Sequence, residues 1–196
     1  MGASKGSERL AVRDELTDGA TWRFRLLGRF EAFYRDLPVE SSYWRRRKNV
    51  SLLKLFLTEP GRVFTQDELI DALFGDLDPH KAIPNLQARI SELRRILEPE
   101  LKRRQNSGFI ETVNGTNYRL IPNASIDVDI HEASELFSQA KKYVDQRAWE
   151  DAVACYEAGC SASSPELLPE DRYEEWAFAA CQRWRESYLE ALSAFA

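Results

Sequence analysis

The chain has 196 residues, 43% hydrophobic and 30% charged, with a formal net charge of −5, which bounds it to one or two globular domains. No apolar run is long enough to span a bilayer, residues 1–15 hold no apolar signal-peptide core, and Cys155, Cys160 and Cys181 are odd in number and match no zinc or redox spacing. The charge is uneven: residues 1–125 carry 21 Lys+Arg against 17 Asp+Glu and residues 126–196 carry 6 against 15, so only the front of the chain suits a polyanion.

Residues 1–20 read as a polar lead-in. From Trp22 to Tyr34 the residues alternate, with Trp22, Phe24 and Leu26 on one side and Arg23 and Arg25 on the other, which predicts strands of a small antiparallel sheet. The basic cluster Arg45-Arg46-Arg47-Lys48 precedes an apolar helix at about 50–58, ended by Pro60-Gly61. Val63-Phe64 reads as an extended link. Thr65 with Glu68 forms a capping box, and the helix behind it ends at Gly75. A loop at 76–79 leads to a long helix ending at Leu97, with Pro84 in its first turn. Leu86, Ile90, Leu93 and Leu97 fall at i, i+4, i+7 and i+11, a stripe facing a core. After a basic loop at 102–108 comes a hairpin over 109–120, its turn marked by Asn114-Gly115. Pro122 to Ile126 reads as a seam. Beyond it, helices are predicted at 131–146, 149–159 and 171–195, with a loop at 161–165.

A basic helix feeding a turn-tipped hairpin is the order a winged helix needs to lie on duplex DNA. With the stripe facing inward, Gln87, Ala88, Ser91, Glu92 and Arg95 point away, and Asn85 and Arg89 lie on the flank. Asn85, Gln87, Arg89, Ser91 and Glu92 therefore form the candidate base-reading set, since Arg can grip guanine, Asn or Gln adenine, and Glu can accept from cytosine. Arg45, Arg46, Arg47, Lys48, Arg94 and Arg95 are candidate phosphate ligands, the first four beside a helix N-terminus. The wing offers Asn114, Thr116, Asn117 and Arg119. A solvated polar helix face is the plainer alternative for the same residues.

The motifs Gly61-Arg62-Val63, Glu68-Leu69-Ile70-Asp71-Ala72-Leu73-Phe74-Gly75, Ile90-Ser91-Glu92-Leu93-Arg94-Arg95-Ile96-Leu97 and Ile110 to Leu120 make residues 22–121 resemble the OmpR/PhoB-type winged helix of bacterial response regulators. The resemblance implies an N-terminal sheet, three helices and a C-terminal wing. It also implies a reading helix at 84–97 in the major groove, with Arg89, Ser91 and Glu92 at the groove-facing positions and Arg94 at a common phosphate contact. Three positions depart from that family: Glu92 where a basic residue is frequent, Asn117 at the wing's second glycine, and Asn114 at its usual arginine or tryptophan.

Asp127-Val128-Asp129 with Phe137, then Trp149 to Tyr156, then Leu168 to Ala177, resemble the bacterial transcriptional activation domain that follows this winged helix in the SARP (Streptomyces antibiotic regulatory protein) family. Ala152, Tyr156 and Gly159 also fit the small-residue spacing of a tetratricopeptide-type helix. The expected fold class is thus α+β: a lead-in at 1–20, a winged helix-turn-helix at 21–123, and a TPR-like all-α domain at 127–196. The implied function is a cytoplasmic, sequence-specific transcription regulator, an activator that docks on double-stranded promoter DNA repeats and contacts RNA polymerase or a second protomer. A homodimer or a further C-terminal domain would cover the apolar end at 188–196. No membrane partner, metal or cofactor is expected. Nor is enzyme chemistry, because His80 and His131 have no supporting constellation and no phosphate-binding glycine loop is present. Two rivals stay open: a protein-interaction module using the winged helix as scaffold, and the regulatory front end of a longer enzyme.

Overall fold

The computed structural model describes residues 21–40, 44, 46–75, 77–102, 105–122 and 125–195. The lead-in expected at 1–20, Arg45, and the 103–104 portion of the basic loop lie outside the described residues. The chain divides into two compact units: one gathers the strands before residue 39 with residues 124–173 and 178–196, the other holds residues 39–123 with 174–177.

In the first unit, β1 (Trp22–Arg25) pairs antiparallel with β2 (Glu31–Tyr34), placing Trp22 opposite Tyr34, and β2 pairs with β3 (Leu37–Pro38). The alternation in the sequence sets the faces, with Trp22, Phe24 and Leu26 buried and Arg25 exposed. Arg35 and Asp36 connect β2 to β3 with φ of 49° and 64°, the left-handed pair that a tight two-residue hairpin requires.

The other edge of β1 is taken by β6 (Ile126–Val128), in parallel, with Trp22 opposite Ile126. The N-terminal sheet, expected within a domain over 21–123, is joined by this pairing to the strand that precedes the later helices. The contact is locked by Asp129, whose carboxylate accepts the N–H groups of Leu26 at 2.9 Å and Leu27 at 3.0 Å, and that of Ile130 at 2.8 Å. Burial pushes the Asp129 carboxyl above its ordinary range, while those three N–H bonds pull the other way. Farther along, Gly28 N donates to Glu166 O at 2.8 Å and Leu168 N to Leu26 O at 2.9 Å.

Three helices complete this unit: α4 (Asp129–Asp145), α5 (Trp149–Ala162) and, from Phe178 on, α6 (Glu175–Phe195). The single helix expected from residue 171 begins instead at Glu175. Leu168, with φ 46°, is drawn into the strand contacts above, and Pro169–Asp171 then form one 3-10 turn. Phe137 of α4 packs on Trp184 at 5.9 Å and Tyr156 at 6.4 Å. Gly159 is what permits this, because a Cβ there would lie 2.6 Å from Phe137 Cε1 and 3.4 Å from Leu136 Cβ. Among the described residues no helix is long and apolar enough to cross a membrane.

In the second unit, α1 (Arg47–Thr58) buries Leu52, Leu53, Phe56 and Leu57 completely. Before α2 (Gln66–Phe74) the capping box forms as expected, with Glu68 N donating to Thr65 Oγ1 at 3.2 Å and Thr65 N to Glu68 Oε2 at 2.7 Å. The Thr65 N–H holds the Glu68 carboxyl below its usual range. Gly75 ends the helix in the right-handed region, φ −49°, so its flexibility is not what stops the turn.

α3 runs from Pro79 to Leu97, capped by Asp78, which accepts from His80 N at 2.8 Å. Pro84 therefore lies inside the helix and not in its first turn, because Asp78-Pro79 supplies a complete start signal of its own. The hairpin β4 (Ile110–Val113) and β5 (Asn117–Leu120) turns at Asn114 and Gly115, with φ of 51° and 85°. Phe64 forms a single antiparallel bridge to β5 by exchanging bonds with Tyr118, N to O at 2.8 Å and back at 2.9 Å.

The contact at Gly159 makes a direct forecast. Gly159→Ala should lower the unfolding free energy by about 1–3 kcal/mol, as overpacking does, despite alanine's better helix propensity. Urea denaturation of the purified chain measures this, and a stabilised variant would contradict the packing.

Candidate nucleic-acid interface

The inward stripe of α3 fixes everything on its other side. Leu86, Ile90, Leu93 and Leu97 are fully buried, and the helix period then turns Asn85, Gln87, Ser91 and Arg95 to solvent, where all are exposed. Asn85 Nδ2 bonds the Lys81 carbonyl one turn back at 2.8 Å, and Arg95 Nε bonds the Ser91 carbonyl at 3.2 Å. Gln87 and Ser91 thus present an amide and a hydroxyl at the centre of an exposed helix face, flanked by the half-buried methyl of Ala88.

The two other members of the expected base-reading set behave differently. The Arg89 side chain is only 11% exposed, and its Nη1 donates to Glu92 Oε2 at 2.8 Å. Glu92 also accepts from Asn49 Nδ2 at 2.9 Å and pairs with Arg46 Nη1 at 3.0 Å. One carboxylate thus gathers two guanidinium groups and an amide from α1 and α3. Asn49 is buried and was not singled out by the sequence. The only signal was an amide residue set between a cationic cluster and an apolar run.

The basic cluster divides in the same way. Arg46 is the N-cap of α1, with no side-chain cap bond and no acidic residue in the first turn. Such an N-terminus, with its partial positive charge, is suited to an anion. Arg47 is ion-paired with Glu174, and the Lys48 ammonium sits 5.8 Å from the centre of the Phe74 ring. Arg45 lies outside the described residues.

Arg94, expected on phosphate, braces α3 against the wing in this structure. Its Nε donates to Ile110 O at 3.0 Å and its Nη2 to Thr112 Oγ1 at 2.8 Å. Burial pulls its pKa below the ordinary arginine value, opposed by Tyr118 and Glu98; a guanidinium stays charged at neutral pH regardless. Glu98, another residue that the sequence did not flag, accepts from Gly108 N at 2.9 Å and from the Ser107 hydroxyl, and so shapes the entry to the hairpin. At the wing, Asn114 and Thr116 are exposed, and Arg119 is paired with Glu111 directly across the hairpin. The left-handed residues of the turn are Asn114 and Gly115, while Asn117, at the position of the wing's second glycine, lies in β5.

Arg94→Ala should therefore act first on stability. Losing charged hydrogen bonds that hold a half-buried strand costs about 1.5–3 kcal/mol each, and Arg94→Lys should not restore it, lacking the planar fork. Chemical denaturation reads the loss, and full rescue by lysine would show that charge alone suffices.

Residues 41–120 match the family described as transcriptional regulatory protein, C terminal. The regulatory protein AfsR of Streptomyces coelicolor is 29% identical over 128 residues, which is 65% of this chain and 12% of that protein. The structure of Mycobacterium tuberculosis EmbR in complex with a low-affinity phosphopeptide superposes with a TM-score of 0.72 at 19% identity, covering 89% of this chain and 44% of that one. The chain therefore spans less than half the length of either relative. Residues 41–120 are thus similar to the C-terminal domain of transcriptional regulatory proteins, and over 89% of the chain the fold is that of the EmbR structure.

Proposed function

We propose that this chain binds promoter DNA in a sequence-specific way and activates transcription from it. The observation that carries the reading is the exposed face of α3, where Gln87 and Ser91 stand out from a helix whose opposite side is wholly buried. In the proposed complex α3 enters the major groove with Asn85, Gln87 and Ser91 at base edges, and Arg89 and Glu92 beside them. Arg46, Arg47, Lys48 and Arg95 meet phosphates, with Arg45 as a further candidate. The wing, held by Arg94, brings Asn114, Thr116, Asn117 and Arg119 to the neighbouring backbone. Several of these cations already have carboxylate partners, so each must exchange an internal ion pair for a phosphate.

The helical unit would then contact RNA polymerase or a second protomer, in the cytoplasm and away from membranes. Exposed Trp149 and Phe178, each 60% accessible, support such a protein contact. They equally favour the second reading, a protein-interaction module in which the winged helix is only a scaffold.

Fluorescence-anisotropy titration across a salt series separates the two. A duplex from the promoter neighbourhood should bind tightly and a scrambled duplex weakly, with log K falling by about 0.9 per phosphate contacted for each unit of log salt. Gln87→Ala should cost about 1–3 kcal/mol on the promoter duplex alone. Equal weak binding to both duplexes, or a flat salt response, would leave the scaffold reading in its place.

A further inference from the structure

The carboxylate of Glu92 occupies a donor set that is built for a stronger anion. Arg46 Nη1 reaches Oε1 at 3.0 Å, while Arg89 Nη1 and Asn49 Nδ2 reach Oε2 at 2.8 and 2.9 Å. Two guanidinium groups and an amide converging beside a helix N-terminus that has no cap of its own are what proteins use to hold a backbone phosphate. We infer that Glu92 is an internal stand-in for a DNA phosphate, which keeps Arg46 and Arg89 occupied until a matching sequence displaces it. This rests on the reading that α3 binds DNA.

The geometry makes the exchange local. Glu92 is 27% exposed and Arg46 59%, so a phosphate can approach the cluster without unfolding α1 or α3. Arg89, at 11%, reaches DNA only by giving up its bond to Glu92. With Glu92 in place the cluster carries one net positive charge, and with Glu92 displaced its two arginines face the duplex. A matched duplex, held by base contacts at Gln87 and Ser91, keeps a phosphate close enough to complete the exchange. A mismatched duplex lacks that hold and meets the closed, half-neutralised surface. Glu92 thus weakens binding to wrong sequences more than to the right one, and discrimination is the difference between the two. The basic residue frequent at this position in OmpR/PhoB-type domains would have no such effect.

The test uses the whole chain, a short duplex enriched by it from a random pool, and a scrambled duplex of equal length. Glu92→Gln should tighten the scrambled duplex about tenfold and steepen its salt slope by roughly 1–2, since each added phosphate contributes about 0.9. The enriched duplex should gain less, so the ratio between them falls. Arg46→Gln should weaken scrambled binding only slightly in the parent chain, where Glu92 already occupies the guanidinium, and more strongly in the Glu92→Gln background, where it removes about one unit of the slope gained, a coupling that only a double-mutant cycle reveals. If Glu92→Gln fails to fold, Arg46→Gln alone still decides, because it must weaken the enriched duplex by a larger factor than the scrambled one. A Glu92→Gln chain that loses the enriched duplex and keeps scrambled binding unchanged would mean that Glu92 reads a base, overturning the inference. Unchanged binding to both duplexes, or equal effects of Arg46→Gln in both backgrounds, would overturn it as well. Failure of the parent chain to enrich any duplex would instead remove the DNA reading beneath it.

Discussion

The second unit depends on one constraint, the burial of a single stripe along α3. Four aliphatic side chains, Leu86, Ile90, Leu93 and Leu97, are withdrawn completely from water, and burying each is worth about 1.5–3 kcal/mol. No rotation of the helix keeps that gain, so the facing of its polar side is dictated by apolar chemistry alone. Gln87 and Ser91 are exposed because leucines and isoleucines are not, and the proposed reading surface needs no interaction of its own to be presented.

That logic explains why the backbone of this unit was legible in the residues. Periodicity located α3, Thr65 with Glu68 located the start of α2, and Asn114-Gly115 located the hairpin turn, each through local chemistry. Side-chain partnerships were not legible in the same way. Position 92 read as a base contact, yet its carboxylate is held by residues 43 and 46 positions earlier in the chain and by its i−3 neighbour. Arg94 read as a phosphate ligand, and its tie to Ile110 and Thr112 exists only once the hairpin folds back. A single sequence shows which side a residue faces far better than which distant group it meets there. Pro84 failed for the opposite reason: two local signals competed, and Asp78-Pro79 won.

The helical unit shows the same division. The small residue at Gly159 could be read as a packing device, and a ring lies where its side chain would be. The parallel strand at Ile126–Val128 could not, since three residues are too few to display alternation. Asp129 was visible only as part of a resemblance. Its chemical task, satisfying two backbone donors more than a hundred residues away, follows from the general demand that buried N–H groups find acceptors.

The pairing of β1 with β6 also sets an order of events during synthesis. Residues 22–25 leave the ribosome early but lack their parallel partner until residue 128 has followed, whereas nearly all of the helix-and-hairpin unit is available by residue 123. Chains fold largely as their parts emerge, so the helix-and-hairpin unit matures while the first sheet still shows an open edge beside Trp22 and Phe24. Such an edge invites pairing with other chains. A ribosome stalled between residues 38 and 126 would therefore release the most association-prone form of this protein, and its safe expression is a matter of timing as much as of final stability.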